Sequence, residues 1–337
     1  MSFDIPETMT AIEITEFGGP EVLKPASRPV PQPAAGEVLV RNAAVGVNFP
    51  DTMQRQGVYP PPPGTTDIPG LELAGTVVAA GDGVSRHAPG DEVCALVSGG
   101  AYAEYTVVPE QLALPLPGGY DMIRAAAIPE NFFTVWTNLF DGVQLTAGDS
   151  ILIHGGSGGI GTAAIQVSRA FGATVFTTAR NAEKCRVCEE LGATRAINYT
   201  EEDFVEVVKN ATGAAGCSVV LDMVGGDYFA RNLDVLAMDG RMVQVAVQKG
   251  AKVELFIPTI MSKRLHYTGS TLRPRTTEQK AVIAEAVERN LWPLFEKGDI
   301  KPLIYTTFPL AEAADAHALM ASSDHIGKIM LSVDGAA

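Results

Sequence analysis

The chain has 337 residues, more than one hydrophobic core usually organises, so two domains are the first expectation. Hydrophobic residues make up 46% and charged residues 19%, ordinary for a globular enzyme. With 25 basic against 39 acidic residues, the formal charge of −14 repels phosphate backbones and anionic lipid, which excludes nucleic-acid or membrane binding unless a local basic patch offsets it, and none is evident.

Residues 1–10 lack a basic segment leading into an apolar core, and no stretch approaches the roughly 18 apolar residues of a membrane span. The expectation is a cytoplasmic protein. Cysteines at 94, 185, 188 and 217 are too scattered for a disulfide framework. Cys185-x-x-Cys188 looks like half a zinc knuckle, but it falls inside a predicted helix and has no second pair. The histidines at 87, 154, 266, 317 and 325 show no HxxxH or HExxH spacing, so no metal is predicted.

Along the chain, short strands at 10–16, 37–45, 71–78, 92–96 and 103–108 alternate with Gly- and Pro-rich turns, which indicates an antiparallel, barrel-like β domain. Within it the passage from Gly46 to Gly64 is unusual, because Tyr59 is followed by four prolines that fix an extended polyproline arm. The phenol of Tyr59 can donate a hydrogen bond or proton to a developing oxyanion, or the ring can simply pack on the arm. Asn48 and Asp51 precede or open an expected short helix, with Asp51 a catalytic base or a cap. Arg55, four residues on, can pair with Asp51.

The organising stretch comes next. Ser150 to Ile153 suits a buried parallel strand and runs into Gly156-x-Gly158-x-x-Gly161, after which Ile160, Ala164, Val167 and Phe171 recur at helical spacing. A glycine turn between strand and helix seats a pyrophosphate: Gly156 allows the tight turn, Gly158 lets backbone N–H groups approach phosphate oxygens, and Gly161 lets the helix pack closely. The whole turn, Gly156, Ser157, Gly158, Gly159, Ile160 and Gly161, is assigned to the cofactor. Strands at 173–179, 195–199, 218–224 and 241–247 alternate with helices at 181–191, 201–210 and 227–237, a doubly wound parallel sheet.

An NAD site normally ends its second strand with Asp or Glu on the ribose hydroxyls. Here the strand tip reads Thr-Thr-Ala-Arg180, followed by Lys184 one helical turn later. Arg180 can fork onto a 2′-phosphate and Lys184 can add a second charge, each charge-assisted bond contributing about 1.5–3 kcal/mol. Since about 1.4 kcal/mol is tenfold in affinity, one such contact favours NADPH over NADH by one to two orders of magnitude. The segment 265–271 is apolar enough for the last strand of this sheet, and 277–297 reads as a long helix with Val282 and Ala286 on successive turns. A strand and helix over 305–320 return the chain to the first domain. The expected organisation is a catalytic domain over 1–130 and 274–337 and an NADPH-binding domain over 131–273.

The 46–64 passage, Gly70-Leu-Glu72-Leu-Ala-Gly75, Ala125-Ala-Ala-Ile-Pro129, the glycine turn and His325-Ile-Gly-Lys-Ile-Met330 together resemble the medium-chain dehydrogenase/reductases. More narrowly the chain resembles the zinc-independent quinone oxidoreductases, the zeta-crystallin-like branch. The resemblance implies an α/β fold, a Rossmann sheet plus a GroES-like β-barrel-type catalytic domain, and NADPH as cofactor. It also implies a homodimer paired along the edge of the nucleotide sheet. Zinc-dependent relatives carry cysteine where this chain has Asn48 and histidine where it has Leu71. By the same comparison Asn48 and Tyr59 line the nicotinamide and substrate pocket, Thr134 lies beside the nicotinamide, and Lys184 and Tyr199 hold the adenosine phosphate. Gln248, Leu272 and Arg273 border the cofactor pocket. A second tyrosine of some members is Met53 here.

The function expected is hydride transfer from NADPH to a quinone in an interdomain cleft, without zinc. Because a quinone becomes an aromatic hydroquinone, it needs little polarisation, and Tyr59→Phe is expected to have a small effect. The alternatives are an NADPH-dependent enone or enoyl double-bond reductase, in which Tyr59 is more central, and a non-catalytic NADPH-binding crystallin-like or sensor protein.

Overall fold

The computed structural model describes residues 3–333, arranged in two compact units. The first takes in Met1–Phe133, Leu272–Lys297 and Ile304–Ala337, and the second Thr134–Thr271 and Gly298–Leu303. In chain order the first unit opens with β1 (Thr8–Ile14), β2 (Leu23–Pro29), β3 (Glu37–Val47), α1 (Phe49–Arg55), β4 (Glu72–Ala80), β5 (Glu92–Leu96), β6 (Tyr105–Pro109), β7 (Ala113–Pro115) and α2 (Met122–Ala126). The chain passes to the second unit within α3 (Pro129–Trp136).

There follow β8 (Ser150–Ile153), α4 (Gly159–Ala170), β9 (Thr174–Ala179), α5 (Ala182–Glu190), β10 (Arg195–Asn198), α6 (Phe204–Ala211) and β11 (Cys217–Asp222). The unit continues with α7 (Tyr228–Val235), β12 (Leu236–Gln244), α8 (Ile257–Lys263) and β13 (His266–Gly269). The return to the first unit is made by α9 (Thr277–Lys297), β14 (Ile304–Pro309), α10 (Ala313–Ser322) and β15 (Lys328–Ser332).

The first unit is built on a seven-stranded sheet ordered β14-β15-β3-β4-β5-β7, with β6 also paired to β3. Its pairs are antiparallel except β14 with β15. Strand β3 lies mid-sheet and buries Val38, Leu39, Val40 and Val45, so both its faces are covered. Three strands of this unit escape a sequence reading, β15 and two that contain proline. β2 holds Pro25 and Pro29, and β7 is three residues ending at Pro115. Proline removes a ladder donor and is tolerated at edges, and each of these strands has a single neighbour.

The second unit is a six-stranded, wholly parallel sheet ordered β10-β9-β8-β11-β12-β13. Counted within the unit this order is 3-2-1-4-5-6, with the strand order reversing between β8 and β11, where a doubly wound sheet opens its crevice. Leu152, Phe176, Ile197 and Val220 from the sheet pack with Phe204 and Leu233 from α6 and α7. β12 begins at Leu236, five residues before the expected start, because its first turnings pair with Cys217 before a register shift. On α9 the buried stripe is Ile283, Ala284, Val287 and Leu291, whereas Val282 is 68% exposed, one position off the periodicity read from the sequence. Among the described residues no helix is long and apolar enough to cross a membrane.

Candidate functional site

In the second unit β8 ends at Ile153 and α4 starts at Gly159 with Gly158 as its N-cap, and no side chain caps that end. The first N–H groups of α4 are therefore open to an anion. The closeness of strand and helix explains the glycines. A Cβ on Gly161 would overlap the carbonyl oxygen of Gly155 and stand 2.6 Å from Cα of Gly156, and one on Gly156 would overlap Oγ1 of Thr177. Gly158 is different: its backbone (φ −80°, ψ 174°) suits any residue, and a Cβ there would meet nothing nearer than 3.5 Å. Ser157 is buried, while Gly159 and Ile160 are half-buried on the first turn of the helix.

Several of the expected residues lie at or just beyond the ends of the strands of this sheet. The Gly156 N–H donates to Thr178 O at 2.9 Å, and the Tyr199 N–H donates to Ala179 O at 3.1 Å. Arg180, the residue after β9, is exposed, and Tyr199 is 40% exposed just beyond β10. Asn181 caps α5 by accepting from the Lys184 N–H at 2.9 Å, and the Lys184 side chain is buried. Gln248 is exposed beyond β12, its N–H donating to Met223 O at 3.3 Å. Thr134 is tied in through Asn138, whose Nδ2 donates to Thr134 O at 2.8 Å and whose Oδ1 accepts from Ser270 Oγ at 2.7 Å.

One support of the turn has no sequence signature beyond a lone histidine. Buried His154 places Nδ1 3.0 Å from Thr178 Oγ1 and Nε2 2.7 Å from Asn232 Oδ1, and Asn232 Nδ2 donates to Asp222 Oδ2 at 3.1 Å. Burial pushes the imidazole below its usual range, so it stays neutral. Asp222 Oδ1 in turn accepts from the N–H groups of Val224 and Gly225. The residues ahead of the glycines are thus braced by polar groups from three other elements.

The first unit holds a buried polar cluster. Asn48 Nδ2 donates to Glu72 Oε1 at 3.0 Å, Lys328 Nζ donates to Asn48 Oδ1 at 2.7 Å, and Lys328 also forms an ion pair with Glu72. Both polar groups of Asn48 are therefore engaged. Asp51 acts as a cap: its carboxylate accepts from the Asn48 N–H at 2.8 Å and the Gly70 N–H at 3.2 Å, and from the Tyr102 hydroxyl at 3.3 Å. Burial pushes its carboxyl up to about 6 despite those donors. The pairing of Arg55 with Asp51 expected from their spacing is absent, and Nε and Nη1 of Arg55 have no hydrogen-bond partner. Capping turns the carboxylate back along the helix, away from the residue four positions on.

Tyr59 is half-buried ahead of Pro60 to Pro63, which lie outside regular secondary structure. Arg273 holds it: the guanidinium sits 5.5 Å from the ring centroid and Nη1 donates to Tyr59 O at 3.4 Å. Arg273 is fixed by Gln54 Oε1 at 2.6 Å and Ser98 O at 2.8 Å. Lys280 Nζ donates to Ser98 Oγ at 2.6 Å and Arg273 O at 2.8 Å, and burial brings its ammonium down to about 8. Glu130 completes the group: its N–H donates to Glu72 Oε2 at 2.8 Å, and burial, aided by the Glu72 charge, pushes its carboxyl up to about 8. In the sequence Glu130 reads only as an acid in the first turn of a helix, a common dipole partner.

These donors do not fit a zinc ion. Leu71 offers no ligand, the Asn48 amide and Glu72 carboxylate are taken by the ammonium of Lys328, and no thiolate or imidazole joins them. Among the described residues no three His, Cys, Asp or Glu side chains gather to hold a metal.

Comparison with known proteins shows the family of this chain. The family "Zinc-binding dehydrogenase" matches residues 159–288, and "Alcohol dehydrogenase GroES-like domain" matches residues 34–118. The quinone oxidoreductase of Rattus norvegicus is 34% identical over 326 residues, 96% of this chain and 97% of that protein. That of Pseudomonas aeruginosa is 36% identical over 323 residues, 95% and 98% of the two chains. Among solved structures, Escherichia coli quinone oxidoreductase complexed with NADPH is similar at a TM-score of 0.87 and 34% identity, covering 96% of this chain and 99% of that one.

Proposed function

We infer that this chain, which belongs to the quinone oxidoreductases of the medium-chain dehydrogenase/reductase superfamily, is an NADPH-dependent reductase that passes hydride to quinones without zinc. The observation that carries the reading is the uncapped glycine turn with exposed Arg180 at the tip of the adjoining strand. Bound NADPH supplies the hydride from C4 of its nicotinamide. The chain's part is to seat the pyrophosphate on the N–H groups of residues 156–161 and the 2′-phosphate on Arg180 and Lys184, with Tyr199 beside the adenosine. Thr134 and Gln248 are assigned to the nicotinamide end. In the first unit Tyr59 faces the acceptor, and Asn48 acts through the cluster that engages its amide. A quinone suits such a site, since it gains aromaticity on reduction and needs no Lewis acid.

Following NADPH and NADH consumption with a panel of benzoquinones, naphthoquinones and enones tests the assignment. Quinones are expected to turn over fastest, with NADPH preferred. In Arg180→Ala that preference falls by about one to two orders of magnitude, the loss of one charge-assisted bond. An equal loss with both cofactors removes the role of Arg180, and faster turnover of enones reassigns the enzyme to double-bond reduction.

A homodimer and a cytoplasmic location belong to the same proposal. Among the described residues the outer edge of β13 is unpaired, and next to it in sequence Phe256, Ile257 and Met261 are 72%, 59% and 72% exposed. A twofold mate would pair the edge and cover the patch, so Met261→Glu is expected to sediment as a monomer. The cysteines 94, 185, 188 and 217 are free and buried, as suits a reducing compartment.

A further inference from the structure

The polar residues at the carboxyl ends of the second unit's strands form one continuous line. Strands β9, β8, β11, β12 and β13 lie side by side. Asp222 is in register with Gln244 and Gln244 with Gly269, while Thr178, His154 and Asp222 directly follow the registered residues Thr177, Ile153 and Leu221. One level of the sheet is therefore marked by Thr178, His154, Asp222, Gln244 and Gly269, all within the second unit. In a doubly wound sheet the crevice outside the strand ends is where ligands bind.

The donors and acceptors along this line admit one order. The N–H groups of Val224 and Gly225 donate to the Asp222 carboxylate at 2.6 and 3.2 Å. A carboxylate only accepts, so Asn232 turns Nδ2 to Asp222 at 3.1 Å and Oδ1 to His154. Nε2 of His154 then carries the hydrogen of the 2.7 Å bond to Asn232. The buried ring is neutral, so Nδ1 accepts, and Thr178 Oγ1 donates to it at 3.0 Å. Thr178 Oγ1 is left to accept the Gly155 N–H, at 3.4 Å, where the glycine turn begins. Toward the other edge, Asp222 O accepts Gln244 Nε2 at 3.3 Å and Gln244 O accepts the Ser270 N–H at 3.2 Å. Ser270 Oγ donates to Asn138 Oδ1 at 2.7 Å, and Asn138 Nδ2 donates to Thr134 O at 2.8 Å. The loop capped by Asp222 also reaches Gln248, whose N–H donates to Met223 O at 3.3 Å.

We propose that this line of hydrogen bonds, with His154 at its centre, keeps the two ends of the NADPH site in register, and that His154 is a positioning residue for the cofactor. The inference rests on the cofactor reading above: one end, Gly155, leads into the turn assigned to the pyrophosphate, and the other, Thr134 with Gln248, is assigned to the nicotinamide. A dinucleotide gains from both ends together only where their spacing is already set, since ordering them on binding costs affinity. His154 touches neither end and acts through Thr178 and Asn232. Packing alone does not call for a histidine. Its ring lies edge-on to Phe204 and Tyr228, with centroids 4.9 Å from each, a place that phenylalanine would fill without bonding either polar neighbour. The line needs a rigid group that accepts on one side and donates on the other, which a neutral imidazole supplies.

The test measures NADPH dissociation constants by calorimetry for wild type, Thr178→Val, Gln244→Met, their double variant and Thr178→Ser, with thermal melting as a check on folding. Each single variant breaks the line at a different strand, and each is expected to weaken NADPH about tenfold, the equivalent of one hydrogen bond. From β9 to β12 is about 14 Å at the usual strand spacing, so independent effects would multiply to about a hundredfold. A line broken once has little register left to lose, and the double variant is expected to stay near tenfold. Thr178→Ser keeps the hydroxyl and restores most of the affinity. Adenosine 2′,5′-bisphosphate, which occupies one end only, binds both single variants within about threefold of wild type. Thr212→Val is the control for a lost hydroxyl elsewhere in the unit, one bonded to Val208 O at 2.8 Å and the Gly216 N–H at 2.9 Å; it lowers melting and leaves NADPH affinity unchanged. Nitrogen NMR of the cofactor-free protein adds a readout independent of binding, with the His154 ring protonated on Nε2 alone. Protonation on Nδ1 instead overturns the donor order and the proposal with it. Wild-type NADPH affinity in either single variant, a hundredfold loss in the double variant, or equal losses for NADPH and the bisphosphate also overturn it. If Thr178→Val does not fold, unchanged NADPH affinity in Gln244→Met decides against it alone. A wild-type protein that binds no NADPH overturns the cofactor reading and this inference together, whereas binding indifferent to both substitutions removes this inference only.

Discussion

Replacing Lys328 by methionine is expected to destabilise the first unit by about 3–5 kcal/mol, the scale for removing one partner of a buried ion pair. Glu72 is fully buried and Lys328 is 3% exposed, so neither charge is solvated if the other is lost. The carboxylate would keep only two amide donors, Asn48 Nδ2 on Oε1 and the Glu130 N–H on Oε2, and Oδ1 of Asn48 would lose the ammonium that now donates to it. The methionine stem restores the apolar contacts of the lysine and nothing else. Nor can the site relax by moving Glu72 toward β3, because Gly46 is already the residue that makes room for its carboxylate. Equilibrium denaturation should therefore show a lower midpoint, and melting should fall by roughly 10 °C. The double variant Glu72→Gln with Lys328→Met is the control, since removing both charges is often close to neutral. If the double variant is no more stable than Lys328→Met alone, the penalty comes from packing, and the account of an uncompensated charge is wrong.

What the sequence reveals about this molecule follows the range of the interactions involved. The glycine turn is legible because most of its causes lie within twelve residues: a strand, the close approach of Gly161 to Gly155 and Gly156, and a helix start, each with its own residue preference. The parallel sheet is legible for the same reason, since alternating short strands and helices admit few arrangements. The cluster around Glu72 is not, because residues 48, 72, 130, 280 and 328 meet only after β3, β4, β15 and two helices have assembled, and each residue alone has an ordinary explanation. Asn48 is assigned to the substrate pocket only through the family resemblance, and nothing in the spacing of Glu130 or Lys280 connects either of them with it. The error over Arg55 has a related origin: an i, i+4 spacing permits a pair, but Asp51 finds closer donors at its own helix end and at Gly70. Proline misleads in β2 and β7, where an edge position excuses what an interior strand would not.

Gly161→Val is expected to abolish cofactor binding in practice and to weaken the second unit by about 1–3 kcal/mol, the scale for overpacking a tight site. The atoms in the way are backbone: the Gly155 carbonyl oxygen, and Cα and C of Gly156 at 2.6 and 2.7 Å from the added Cβ. No rotamer change relieves them, so α4 must move away from the end of β8, and the N–H groups that are proposed to face the pyrophosphate move with it. Losing two such bonds, each about 1.5 kcal/mol or more, raises the NADPH dissociation constant at least a hundredfold. Stability and affinity fall together in that variant, so Gly158→Ala is needed to separate them. Its backbone already suits alanine and its nearest neighbour would be 3.5 Å away, so melting should be nearly unchanged. If the dinucleotide comes as close to this residue as its place at the N-cap of α4 requires, the added methyl meets the phosphate rather than the protein, and NADPH binding weakens while the fold does not. Calorimetric titration of Gly158→Ala with NADPH decides the point: wild-type affinity would mean that the pyrophosphate is not seated on that end of α4.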